Sequence, residues 1–355
     1  MSRTIRAGVV GFGLGGSIFH APFLHAIDGF ELAAILQPHG DTAAQAYRNV
    51  SIVRTMEELL AQPNLELIAI STPPSTHFEL ARQALEANKH VVIDKPFVST
   101  SDQARQLIEL ARARKLILSA YQNRRWDGDF LTLKGLIAGG ELGRIVSLES
   151  RFERYHPGVR PKKWQEKNLP GNGILYDLGS HLADQALVLF GTPEAIFADV
   201  RYDRDITDIN DAFTIYLFYP GVRVLLKATL LARAAGPRFV LHGTLGSYVK
   251  YGVDPQEQAM KDGILLGDPH WGEEPESAWG TLTTTRDGQM IERKVPTLPG
   301  DYRRYYENVR DAILSLAPLA VPAEDGWRTM RLLEMALESS AQRSAISCNA
   351  LDQLP

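Results

Sequence analysis

Over the first 120 residues, apolar positions form short, nearly unbroken runs separated by stretches in which they recur at three- to four-residue spacing. The runs Ile5–Gly11, Phe30–Leu36, Ser51–Val53, Leu67–Ser71, His90–Asp94 and Lys115–Ala120 read as strands. Thr42–Tyr47, Met56–Ala61, Ser75–Asn88 and Ser101–Arg114 read as helices. A run such as Leu67-Ile68-Ala69-Ile70 has no polar face, so helices are expected on both sides of it. Strands and helices in alternation predict an α/β fold with an open, doubly wound parallel sheet, whose ligand crevice lies at the carboxyl ends of its strands. Beyond Tyr121 the pattern changes. Two helical segments, Gly128–Ala138 and Ile174–Phe190, precede longer alternating strands at Ala195–Tyr202, Ala212–Tyr219, Val222–Leu231, Arg238–His242 and Ser247–Tyr251. Alternation marks strands covered on one face, and Tyr219-Pro220-Gly221-Val222 has the turn chemistry of a hairpin. This half is therefore expected to be an α+β module with a large, mostly antiparallel sheet. Gly252–Thr281, rich in Gly, Pro and acidic residues, reads as a surface loop, and Asp301–Leu316 and Glu324–Ser344 as closing helices.

Composition narrows the function classes. The 355 residues suggest about two domains at roughly 150 residues each. We expect a division into 1–121 and 122–355. The 38 basic and 42 acidic residues give a net charge of −4, with no basic run to follow a phosphate backbone or an anionic membrane, so neither nucleic acid nor membrane is an expected partner. Cys348 is the one cysteine, which excludes an intramolecular disulfide and a cysteine-rich zinc site and fits a reducing cytoplasm. The uncharged stretch Ala7–Ile27 resembles a signal segment only superficially, because five glycines, two histidines and Pro22 interrupt it.

Four motifs carry candidate chemistry. Gly11-Phe12-Gly13-Leu14-Gly15-Gly16 follows the first strand and opens a helix, the context in which G-x-G-x-x-G binds a dinucleotide. Gly11 allows the tight turn, Gly13 lets a pyrophosphate approach the backbone and Gly16 allows close packing. A ligand-free glycine turn is the plainer reading. About 20 residues on, a carboxylate would hold the ribose hydroxyls of NAD; here stand Leu36-Gln37-Pro38-His39, with no carboxylate to repel a 2′-phosphate and no Arg in the turn to attract one. Gln37 and His39 are the polar groups available there. Ser71-Thr72-Pro73-Pro74-Ser75-Thr76-His77 ends the fourth strand and faces the same crevice, with Ser75 readable as a helix cap. Asp94-Lys95-Pro96 ends the fifth, where a lysine either idles in solvent or stabilises a developing alkoxide. Finally, Asp177 and His181 follow Gly171-Asn172-Gly173 at i and i+4 of one helix. They form a surface pair, a two-ligand metal site, or a carboxylate and an imidazole converging on one substrate.

In this order, the motifs resemble the glucose-fructose oxidoreductase / inositol dehydrogenase / rhizopine-catabolism (Gfo/Idh/MocA) family over most of the chain. Phe19-His20-Ala21-Pro22, Tyr121-Gln122-Asn123-Arg124-Arg125-Trp126-Asp127, Asp177–Gln185 and Phe239-Val240-Leu241-His242-Gly243-Thr244 resemble its branch of NADP-dependent scyllo-inositol dehydrogenases. The resemblance implies a Rossmann domain followed by a substrate-binding and oligomerisation domain. It also implies a catalytic set of Lys95, Asp177 and His181, with His181 as general base, Lys95 holding the reacting oxygen and Asp177 orienting a hydroxyl or His181. Asp94 stands where the family motif has Glu. The implied cofactor contacts are Gly11, Phe12, Gly13, Gly16, Gln37, Ser71, Thr72, Pro73, His77, Asp94, Lys95, Asn123 and Trp126, and the substrate contacts are Arg124, Tyr155, Trp164, Asp177 and His181, with no metal. Core packing is the alternative for Trp126 and Trp164. The Lys95-Pro96 peptide is expected to be cis.

The expected activity is hydride transfer between a nicotinamide cofactor, NADP(H) favoured over NAD(H), and a secondary hydroxyl or ketone of a cyclic polyol or sugar. The expected assembly is a homodimer or homotetramer through the second sheet. A cofactor-sensing regulator without turnover and a glycosidase that oxidises its substrate transiently are the rival functions.

Overall fold

The computed structural model describes residues 3–159, 163–264, 266–286 and 288–353, without the side chains of Lys163, Trp164 and Arg286. Six strands come first: β1 (Ile5–Val10), β2 (Phe30–Leu36), β3 (Ser51–Val53), β4 (Leu67–Ile70), β5 (His90–Ile93) and β6 (Leu118–Ala120). The helices between them are α1 (Ala21–Ala26), α2 (Thr42–Ala46), α3 (Met56–Leu60), α4 (His77–Glu86) and α5 (Ser101–Arg114). All neighbouring strands are parallel and their order is β3-β2-β1-β4-β5-β6, the doubly wound arrangement that the alternating runs predict. Every residue of β4 is buried, as a strand covered on both faces requires. Such burial stabilises by roughly 1.5–3 kcal/mol for each large aliphatic side chain. Thr100 caps α5 by accepting the Gln103 N–H at 3.2 Å, and Lys115 closes it in the left-handed conformation.

The second half opens with α6 (Gly128–Gly139) and β7 (Ile145–Glu153), followed by α7 (Ile174–Asp177) and α8 (Gly179–Phe190). Then come β8 (Ala195–Arg201), β9 (Ala212–Tyr219), β10 (Val222–Thr229), β11 (Phe239–Gly243), β12 (Gly246–Lys250), α9 (Gln256–Lys261), β13 (Gly280–Arg286), β14 (Gln289–Val295), α10 (Arg303–Ile313), α11 (Ala323–Gln342) and β15 (Ile346–Ser347). The described strands form one sheet in the order β14-β13-β12-β11-β7-β10-β9-β8-β15, antiparallel except for the β7 and β10 pair at its centre. The β9–β10 hairpin turns at Pro220-Gly221, with Tyr219 paired to Val222. One face of the sheet is covered by α7, α8 and α11, and α11 also packs on α5 and β6 of the first sheet.

Two expectations are corrected here. The single helix expected over Ile174–Phe190 is interrupted at Leu178. The loop expected over Gly252–Thr281 contains α9 and the start of β13. Among the described residues no helix is long and apolar enough to cross a membrane.

Candidate active site

An open cleft of about 630 Å³ runs along the carboxyl edge of the first sheet. Residues just beyond β1 (Gly11), β4 (Ser71), β5 (Asp94, Lys95) and β6 (Tyr121) form its floor, while Arg124, Asn172, Asp177 and His181 form its far wall.

The glycine loop divides its work as the sequence suggests. Gly11 has φ +91°, and a Cβ there would lie 2.4 Å from the Ser71 carbonyl oxygen. A Cβ on Gly16 would lie 1.9 Å from the Gly11 carbonyl oxygen, whereas one on Gly13 would meet no protein atom within 4 Å. Gly13 lines the cleft, so the loop offers bare backbone to a ligand there. These features fit the pyrophosphate of a dinucleotide. The helix that follows begins with a wider π turn, Gly16–His20, closed by the Ala21 N–H on the Gly16 carbonyl. Pro22, which has no N–H to give, stands in the first turn of α1, where none is needed.

The π turn points His20 inward, where its Nδ1 lies 2.6 Å from the Tyr306 hydroxyl and its Nε2 lies 3.5 Å from Asp94 Oδ2. Asp94 also accepts from its neighbour's backbone N–H (Lys95, 2.8 Å) and from the Ser71 hydroxyl (3.0 Å). Burial pushes the Asp94 carboxyl up, but His20, Lys95 and His77 together outweigh it and hold the group well below the usual carboxylate range. The shorter Asp94 therefore still fixes the backbone from which Lys95 departs. The Lys95-Pro96 peptide is cis, as expected.

Lys95 Nζ donates to Asp177 Oδ1 at 2.5 Å and to the Asp177 carbonyl at 3.0 Å. The interruption at Leu178 leaves that carbonyl turned toward the lysine. Asn210 anchors α7: its carbonyl accepts the Ile174 N–H at 2.9 Å and its Oδ1 accepts the Leu175 N–H at 2.8 Å. Gly173, at φ +96°, leaves room for the Asn210 side chain. His181, buried in the first turn of α8, has an Nδ1 with no hydrogen-bond partner among the described residues. Burial, then the positive charges of Lys95, Arg124, Arg238 and Arg154, depress its pKa well below 6.5, so the imidazole is neutral at pH 7. Arg124 bonds Asp127 at 3.2 Å and also bonds Glu257, which brings α9 over the cleft. Burial opposes charge on Arg124, but Tyr302, Asp127 and Glu257 overcome it.

Of the residues singled out from sequence, Gly11, Gly13, Ser71, Thr72, Pro73, Asp94, Lys95, Asn123, Arg124, Asp177 and His181 line this one cleft. Others are held elsewhere. Gln37 turns its side chain onto the start of α2, accepting the Ala43 N–H at 2.9 Å and donating to Thr42 at 2.9 Å. His77 is buried beneath the loop and ties it to the Lys95-Pro96 bend, with Nε2 2.8 Å from the Thr72 carbonyl and Nδ1 3.0 Å from the Pro96 carbonyl. Trp126 packs edge-on against Tyr305 at 5.9 Å, and Phe12 against Tyr47 at 6.0 Å. Tyr155 lies beneath the Arg233 guanidinium, 4.0 Å from its ring centroid. The Trp164 side chain lies outside the described residues. The structure adds Arg154, Gln165, Glu257 and Lys261 to the cleft wall. Only the charge of Arg154, Glu257 and Lys261 could have signalled them, and charge alone does not separate them from surface residues.

Comparison with known proteins agrees with this geometry. Residues 5–122 match the family model described as "Oxidoreductase family, NAD-binding Rossmann fold", and residues 134–347 match "Oxidoreductase family, C-terminal alpha/beta domain". The chain is 43% identical to the uncharacterized oxidoreductase YdgJ of Escherichia coli, over 98% of this chain and 99% of that one. It is 36% identical to the scyllo-inositol 2-dehydrogenase (NADP(+)) IolW of Bacillus subtilis, over 97% and 96%. A solved oxidoreductase from Bacillus cereus superposes with a TM-score of 0.89 at 31% identity, covering 97% of this chain and 98% of that one. A glycine-loop cleft joined to a second-domain wall, matched over both domains, places the chain in the Gfo/Idh/MocA family of oxidoreductases.

Proposed function

We propose that the protein is a dehydrogenase that interconverts a secondary hydroxyl and a ketone on a cyclic polyol or sugar, with NADP(H) favoured over NAD(H). The observation that carries this reading is the convergence of Lys95, Asp177 and a neutral, unpartnered His181 Nδ1 in the cleft of the glycine loop. When bound, the nicotinamide supplies the hydride acceptor. His181 takes the proton of the substrate hydroxyl, which a neutral imidazole can do at pH 7. Lys95 donates to the reacting oxygen and stabilises negative charge as it develops. Asp177 keeps the Lys95 ammonium over the cleft and presents a carboxylate to a neighbouring substrate hydroxyl. The activity printed for IolW of Bacillus subtilis supports the polyol class and NADP. The same reading includes a homodimer or homotetramer through the open face of the second sheet.

The test is a panel of inositols and sugars with NADP⁺ and NAD⁺, followed at the nicotinamide absorbance. Turnover of at least one cyclic polyol or sugar, faster with NADP⁺, is expected. Cofactor binding with no turnover across the panel would favour the regulator instead.

A further inference from the structure

We infer that Arg54, at the end of β3, selects the phosphorylated cofactor, and that Asp41 opposes it. The inference rests on the NADP(H) reading above. In the parallel β2 and β3 pair, Leu36 stands opposite Val53, so the residues leaving the two strands, Gln37 and Arg54, emerge side by side. Arg54 Nη1 donates to the carbonyls of Gln37 and Gly40 at 2.8 and 2.7 Å, and Nη2 donates to Asp41 Oδ1 at 2.8 Å. It thereby brings a guanidinium to the turn that lacks one in its own sequence. That turn borders the dinucleotide crevice: the Gly11 N–H bonds the Leu36 carbonyl at 3.0 Å, and Pro38 lines the cleft. In this fold the end of the second strand meets the ribose that carries the 2′-hydroxyl or 2′-phosphate.

The Gln37 side chain is committed to α2, which leaves Arg54 and Asp41 as the paired charges of the turn. Three of the five guanidinium N–H groups are used, and the Arg54 side chain keeps 45% of its surface exposed. The remaining N–H groups can take a phosphate in the forked geometry that arginine favours. Asp41 has the opposite tendency. An unpaired carboxylate here repels a phosphate and accepts a hydrogen bond from a free 2′-hydroxyl, so Arg54 both attracts the phosphate and neutralises the group that would reject it.

The test is titration of the purified protein with NADPH and with NADH, read by calorimetry. Arg54→Ala is expected to weaken NADPH about tenfold to a hundredfold, the range of one charge-assisted contact, while NADH is unchanged or tightened because Asp41 is then unpaired. Asp41→Asn is expected to tighten NADPH and leave NADH alone. Equal weakening of both cofactors in Arg54→Ala would show that Arg54 only pins the turn, and unchanged NADPH affinity would equally overturn its selecting role. Wild-type protein that binds neither cofactor would overturn the dehydrogenase reading along with this one.

Discussion

The two sheets bury their residues differently. In the first, strands such as β4 are buried at every position. In the second, β7, β9 and β10 alternate: Leu217, Val224 and Leu226 are sealed under the helices, while Phe197, Phe218, Leu225 and Val240 are half-buried on the other side and Tyr216 is 41% exposed. A sheet covered on both faces has only its strand ends to offer a ligand, and the cleft lies there. A sheet covered on one face has a surface to offer. That surface carries Phe197, Phe218 and Leu225 beside the charged Glu149 and Arg151, and a second copy of the chain is the occupant proposed for it. The second region also supplies α7 and α8, so the candidate site sits where the two meet.

The strongest way to break this division of labour is His181→Ala. It removes a group of the second region from a cleft floored by the first, and turnover should fall by about 10² to 10⁴ while NADPH affinity stays near its starting value. Steady-state kinetics beside a cofactor titration check this, and equal loss of both would mean that the regions do not divide the work. Next comes Leu217→Ala, which should cost about 2–5 kcal/mol in denaturant unfolding because the side chain is fully buried. Leu225→Ala, on the open face, should cost less than Leu217→Ala unless a partner covers that face, so the ratio of the two reads the interface directly. A third change, Phe218→Asp, places a charge on the open face and should lower the mass measured by light scattering to that of a monomer, with the glycine-loop cleft still binding NADPH.

Legibility followed the same divide. Strands such as Leu67–Ile70 stood out because no position in them is polar. β7 escaped notice although it is central, because Glu149, Arg151 and Glu153 occupy its open side and Ser150 its covered one, leaving few apolar residues to show a period. The β13 and β14 hairpin was invisible for a related reason: β14 is exposed along Gln289–Lys294, and only its last residue, Val295, is buried. In the candidate site, Gly11, Gly13, Lys95, Asp177 and His181 were singled out as candidates from local motifs, and the fold brings them to one cleft. Arg54 and Glu257 were not, since one reaches the cofactor turn through strand pairing and the other reaches Arg124 from a segment without periodicity. The side chains of Gln37 and His77 bond the start of α2 and the Lys95-Pro96 bend, partners that lie outside their own motifs and that no local pattern announces.

The smallest predicted effect concerns pH. Burial first, then nearby cations including Arg154, hold the His181 pKa below 6.5, so the acidic limb of kcat/KM should lie below pH 6.5. Removing one positive neighbour makes the imidazolium easier to form and raises that pKa. Arg154→Gln should therefore shift the limb upward, by a fraction of a pH unit, without abolishing turnover. A downward shift would mean that His181 is not the group titrating.

The central claim is that one cleft joins a glycine-loop cofactor site to a His181-centred proton acceptor. Single-turnover reaction with NADP⁺ and a cyclic polyol, deuterated at the carbon it oxidises, tests it most directly by mass spectrometry of the cofactor. The account predicts deuterium on the nicotinamide with wild-type protein and slower transfer by about 10² or more with His181→Ala. Transfer at the wild-type rate in the variant, or none in either protein, would contradict it.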